Sequence, residues 1–278
     1  MKQLTALILF ILSTTSTTGY TAQTERVYSV GIVPQFETNK LHQIWHPILL
    51  QLTAKTGYKF KLLGSTSIPD FEQDLAAAKY DFAYMNPYHL LIANQQAGYL
   101  PLVRDHGRKL YGVLVVKKDS NITSPTQLDG KTLVFPSPNA LGASLLMRQE
   151  LKDQYDLNFN ARYVKTHDSV YLNVLLDEAD AGGGVQKTLN RQKKQYKELL
   201  NIIHSTAKVA PHPFTARPQV PIEVRERVRD ALLEMGSSKK GQLLLSKIPI
   251  NSIGPANLDD YLPLKTMDLE RFYVAPNK

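Results

Sequence analysis

Three short segments, residues 34–39, 84–88 and 136–144, concentrate groups able to hold a small anion. The first offers Gln35, the second Tyr84 and Asn86, and the third Ser137, Asn139 and the amides of Ala140, Leu141 and Gly142. The third opens a helix-like run. A helix start presents unpaired N–H donors at the positive end of its dipole, so it can hold an anion with no cation nearby. The same residues also make an ordinary Ser or Asn cap punctuated by two prolines, and the sequence leaves both accounts open. His167 and Asp168 lie between a strand-like and a helix-like stretch, where an imidazole can donate to an oxyanion whether neutral or charged. A loop histidine beside an Asp that caps the helix is the simpler alternative.

Other constellations carry less. His42 and His46 stand four apart on one helix face, a spacing that can suit a metal, but they lack a third ligand and an HExxH glutamate. No metal or cofactor is expected. Gly182-Gly183-Gly184 lacks the Lys of a phosphate loop and the spacing of a dinucleotide loop. Neither a G-x-S-x-G elbow nor a supported Ser/His/Asp arrangement occurs, so nothing asks for an enzyme.

The elements that must position these loops repeat. Residues 71–87 and 170–184 each run from a helix-like stretch through an Asp (Asp81, Asp180) into a buried strand and a loop. Such strands present ligand-binding groups at their carboxyl edge. Two such edges imply two lobes facing each other across a cleft. Strands are expected near 26–33, 58–63, 81–85, 110–116, 132–135, 161–165, 180–182 and 201–205, with helices between them, including one continuous helix over 185–199. This alternation predicts α/β lobes, each a mostly parallel sheet flanked by helices. The first lobe is expected over 25–110 and 206–278 and the second over 111–205, joined by two strand-like crossings that form a hinge.

Composition sets further bounds. A 278-residue chain with 43% hydrophobic and 21% charged residues has enough apolar material for a sizeable core. Residues 1–22 read as a secretory signal peptide: Lys2, a brief apolar run, then small polar residues. The chain has no cysteine, which removes disulfides, thiolate chemistry and a lipid-bearing Cys at the cleavage site. A soluble, unanchored periplasmic protein is expected, and a monomer. The net charge of +8 suits anionic ligands weakly. The densest basic run, residues 191–197, reads as a solvated helix face, not a nucleic-acid site.

At these loops the chain resembles the periplasmic phosphate/phosphite/phosphonate-binding proteins of ABC importers, which have the type II periplasmic binding protein fold. The resemblance rests on Tyr80-Asp81-Phe82-Ala83-Tyr84-Met85-Asn86-Pro87, Leu133-Val134-Phe135-Pro136-Ser137-Pro138-Asn139, Thr166-His167-Asp168-Ser169-Val170 and Glu178-Ala179-Asp180-Ala181-Gly182. It implies capture of a small oxyanion-bearing molecule, without chemistry, and delivery to a membrane permease. A membrane sensor kinase is the alternative partner, and an enzyme on the same fold a more remote reading. The resemblance matches Tyr84 and His167 to ligand contacts and residues 138–143 to the cradle of the phosphonate group. There the chain departs from the family: a Ser/Thr-rich run is replaced by Ala140-Leu141-Gly142-Ala143, which removes hydroxyl donors worth roughly 1.5–3 kcal/mol each to an anion. His212 stands where aminophosphonate binders have an acidic partner for the amine.

Overall fold

A computed structural model describes residues 26–248 and 250–276; the expected signal peptide lies outside them. The chain builds two lobes. In the first, β1 (Val27–Ile32), α1 (Thr38–Thr56), β2 (Lys59–Leu63), α2 (Ile68–Ala76), β3 (Phe82–Tyr84), α3 (Pro87–Ala97) and β4 (Leu100–Asp105) follow in sequence. Local chemistry sets the helix limits. In α1 the stripe Trp45, Ile48, Leu49 and Leu52 is buried, and Gly57, at φ 77°, ends the helix with its N–H on Thr53 O. α3 begins with Asn86 accepting the His89 N–H at 2.8 Å and Pro87 at its first position.

The chain then enters the second lobe. This contains β5 (Gly112–Lys117), β6 (Thr132–Phe135), a π-helical turn (Leu141–Leu145) continuing as α4 (Leu146–Tyr155), and β7 (Asn160–Tyr163). It ends with α5 (His167–Leu175), β8 (Ala181–Val185), α6 (Gln186–Asn190), α7 (Lys194–Lys197) and β9 (Leu200–Ser205). The return adds β10 (Phe214–Ala216), α8 (Ile222–Gly236), α9 (Lys239–Leu245) and β11 (Ile253–Pro255) to the first lobe. The two crossings pair with each other: Leu110 and Val209 exchange both backbone hydrogen bonds at 2.9 Å.

Strand order is β11-β4-β10-β3-β1-β2 in one sheet and β7-β6-β8-β5-β9 in the other. The helix-linked strands β2-β1-β3 and β7-β6-β8 pair in parallel, as expected. The strands next to the crossings pair antiparallel, because they carry the chain out of each lobe and back. Three strands escape the sequence pattern. β4 holds Pro101, which has no N–H to donate, and the β10–β4 register shifts between Phe214 and Thr215, next to the Thr215↔Pro101 pair. β10 and β11 have only three residues each. The helix expected over 185–199 breaks between α6 and α7, where the polar run 191–197 offers no apolar stripe to bury.

The glycine triplet is structural. Gly182, Gly183 and Gly184 all lie in the central strand β8. A Cβ at Gly183 would come 2.1 Å from Ala143 O, and one at Gly184 would come 2.1 Å from the Tyr171 hydroxyl. Only a strand without side chains lets the turn at Ala143 and helix α5 approach this closely. Gly183→Ala should therefore lower stability by about 1–3 kcal/mol, seen as an earlier denaturant midpoint; an unchanged midpoint would contradict this packing.

Candidate functional site

The lobes close on each other through two polar clasps and an apolar seam. In the first clasp the buried Asn139 is spent on structure: Nδ2 donates to Glu72 Oε2 (2.9 Å) and Val274 O (2.7 Å), and Oδ1 accepts the Val274 N–H (2.9 Å). Asn86 Nδ2 donates to Asn139 O at 3.1 Å, and Arg148 Nη2 donates to Phe272 O at 2.7 Å. In the second, Arg191 Nη2 reaches Ser246 O and Lys247 O at 3.2 and 2.7 Å, and Lys40 lies 3.6 Å from Asp168. Between them Ala140, Leu141, Ala143 and Val185 join the hydrophobic core of the first lobe. A Cβ at Gly112 would meet Gly142 O at 1.9 Å, so the π-helical turn sits directly on the crossing strand.

A small inner chamber of about 20 Å³ lies under this seam, room for about one water. It brings together Gln35, Asn86, Ala140, Leu141, Gly142, His167 and His212 from both lobes. His167 Nδ1 is buried with no hydrogen-bond partner among the described residues. Burial pushes its pKa down to about 4, against a weaker opposing pull from Asp168. His212 Nε2 lies 3.0 Å from Gln35 Nε2, and its ring stacks on Tyr84 with centroids 5.4 Å apart. Its pKa falls well below the ordinary histidine value, first through burial and then through the neighbouring bases, Arg108 foremost.

The remaining expected site residues lie apart from this chamber. Tyr84 borders the adjoining space with Gln35 and His212, and its hydroxyl donates to Ile248 O at 3.1 Å. Ser137 is buried and its Oγ has no partner among the described residues, but it does not line the chamber. Asp168 is exposed in the first turn of α5 and accepts from Gln192 Nε2 at 2.7 Å. The helix cap there is Thr166, which accepts the Ser169 N–H at 3.1 Å. His42 and His46 stack on each other away from the cleft, beside Phe60 and Leu62.

Sequence reasoning missed the mouth. A cavity of about 390 Å³ opens beside Leu110 and Val185, which also line the inner chamber. Arg108 and Lys109 of the first lobe and Lys187 and Arg191 of the second line it. Among the described residues no carboxylate does. Burial, with Arg191 and Arg108 adding repulsion, pushes the Lys187 ammonium down to about 6. Arg191 belongs to the run read as a solvated face and is exposed, yet its guanidinium lies 5.7 Å from the Phe36 ring centre. Arg108 and Lys109 precede the first crossing and Lys187 follows β8; strand-edge position was the only available signal.

Known proteins share this architecture. The family model described as ABC transporter, phosphonate, periplasmic substrate-binding protein matches residues 30–261. A binding protein component of an ABC phosphonate transporter from Pseudomonas aeruginosa is 18% identical, with a TM-score of 0.79 over 91% of this chain and 89% of that one. PhnD1 from Prochlorococcus marinus, in complex with methylphosphonate, is 14% identical, with a TM-score of 0.80 over 88% and 98%. A Xanthomonas citri protein bound to ATP is 18% identical, with a TM-score of 0.72 over 88% and 98%.

The buried imidazoles make stability depend on pH. A base whose folded-state pKa is depressed binds fewer protons folded than unfolded, so its contribution is present above the unfolded value and lost on acidification. For His167 the window runs from about 6.5 down to about 4, with up to about 1.4 kcal/mol lost per pH unit. Urea unfolding over this range should show a shallower pH slope for His167→Asn than for the wild type; parallel slopes would contradict the burial of a neutral imidazole.

Proposed function

Because the chain belongs to the periplasmic substrate-binding proteins of phosphonate ABC transporters, we propose that its cleft captures a phosphonate- or phosphate-type oxyanion at the inner chamber. The chamber walls must part to admit it, because the closed lobes leave room for only about one water. The protein is a transport receptor and not an enzyme, and its macromolecular partner is the importer's membrane permease; nothing in the structure favours a sensor kinase. We assign the first lobe to residues 25–110 and 206–278 and the second to 111–205, in line with the membership of the two sheets. The protein acts as a monomer, exported through removal of an N-terminal signal segment.

The observation that carries this reading is the inner chamber itself. Gln35 and His212 of the first lobe and His167 and the helix start at Ala140-Leu141-Gly142 of the second converge on it. The free Nδ1 of His167 is a polar atom awaiting a partner. The Ala140 N–H is spent on Ser137 O at 3.3 Å, but the Leu141 and Gly142 amides have no carbonyl one turn back and remain donors for an anion. Leu141 contributes packing where a hydroxyl would contribute a hydrogen bond, so ligand oxygens depend on backbone and imidazole donors.

Titration calorimetry against phosphate, phosphite, alkylphosphonates, alkylsulfonates and carboxylates tests the reading. Binding is expected for the phosphorus oxyanions, weakened by about tenfold or more in His212→Ala, in keeping with a lost hydrogen bond to a charged group. Ala140→Ser, which returns one hydroxyl to the helix start, should tighten binding several-fold. Failure of every phosphorus oxyanion to bind would overturn the reading.

A further inference from the structure

The mouth cavity has a charge balance that a single buried oxyanion does not explain. Arg108 and Lys109 approach from one lobe and Lys187 and Arg191 from the other, so closure gathers like charges around one space. The acidic group that acts on Lys187 is Asp105; it is ion-paired with Arg108 at 3.1 Å, although its Oδ2 makes no hydrogen bond among the described residues. It is fully buried, and its Oδ1 accepts the Gly107 and Ser252 N–H groups at 2.9 Å each. The Lys187 ammonium has no ion-pair partner among the described residues, and burial and neighbouring cations disfavour its charge. An anion seated here would reverse that repulsion and add attraction between the lobes. The cavity, about 390 Å³, falls in the ordinary range for small-molecule sites. Leu110 and Val185 line both it and the inner chamber.

Resting on the reading that an oxyanion occupies the inner chamber, we propose that the mouth is a second anion subsite. It selects organic solutes that carry a phosphonate or phosphate group at one end and a second anionic group, a carboxylate or a phosphate, at the other. The same charges reject aminophosphonates, because an ammonium at the outer end would face Arg108, Lys187 and Arg191 with no free carboxylate to receive it. His212, beside Gln35, supplies no negative charge either. The subsite thus sets specificity through attraction of one ligand class and repulsion of another.

Three probes of similar length separate the possibilities: phosphonopropionate, propylphosphonate and aminoethylphosphonate, titrated into the wild-type protein by calorimetry. Phosphonopropionate is expected to bind about tenfold or more tighter than propylphosphonate, with aminoethylphosphonate the weakest. The preference should shrink as salt is raised, because the mouth is open to solvent. In Lys187→Gln the ratio of the first two affinities should fall below about threefold; as a ratio, it cancels any general loss of binding. Equal affinities for phosphonopropionate and propylphosphonate, or a preference for the amine, would overturn the second subsite and leave single-oxyanion capture standing. No binding of any phosphorus oxyanion would overturn both.

Discussion

Positive charge and neutral imidazole accumulate where the two lobes meet, and the rest of the cleft is built around tolerating them. Arg108, Lys109, Lys187 and Arg191 ring the mouth, while His167 and His212 lie uncharged beneath it. In water such groups would each keep their ordinary protonation. Here burial holds Lys187 and both histidines toward their neutral forms, and repulsion from neighbouring bases adds to it for Lys187 and His212. An arriving anion changes the balance, because it favours the charged form of every base it faces. Binding energy and protonation are therefore one coupled quantity in this cleft.

The apolar seam and the clasps supply the closure that charge alone opposes. Leu141, Ala143 and Val185 extend the first lobe's core across the gap, and the buried Asn139 side chain makes three hydrogen bonds, one with Glu72 and two with Val274. A buried amide with all its groups paired fixes geometry, since loss of any one partner would leave a costly unsatisfied atom. The C-terminal segment matters here. It reaches from the first lobe, where Leu264 and Leu269 are buried, to Arg148 and Asn139 of the second. Where the resemblance implies hydroxyls at the helix start, this chain has Ala140-Leu141-Gly142-Ala143, and Leu141 and Ala143 pack into the seam.

Much of this arrangement was legible in the sequence. The alternation of strand and helix, the two crossings and the meeting of Gln35, Asn86, His167 and His212 follow from strand-edge logic, because loops at carboxyl edges must converge in an open α/β fold. What escaped notice has physical reasons. β4, β10 and β11 are held by their sheet neighbours, with little periodicity of their own, and a proline interrupts the first. Asn139 looked like a ligand donor, but its partners Glu72 and Val274 are 67 and 135 residues away, beyond any local pattern. Arg191 is exposed like its charged neighbours, and what the run could not show is its reach to Phe36 and to the Ser246 and Lys247 carbonyls across the cleft.

The proton balance of binding tests this account most directly. Calorimetry with phosphonopropionate at about pH 8.5, in buffers of differing ionisation enthalpy, counts protons exchanged where exposed histidines are already neutral. Lys187, held at about 6 in the ligand-free cleft, should become charged against the anion, so net proton uptake of up to about one per ligand is predicted. Binding with no proton exchange, or with release, would contradict a cleft whose buried bases are charged by the ligand they receive.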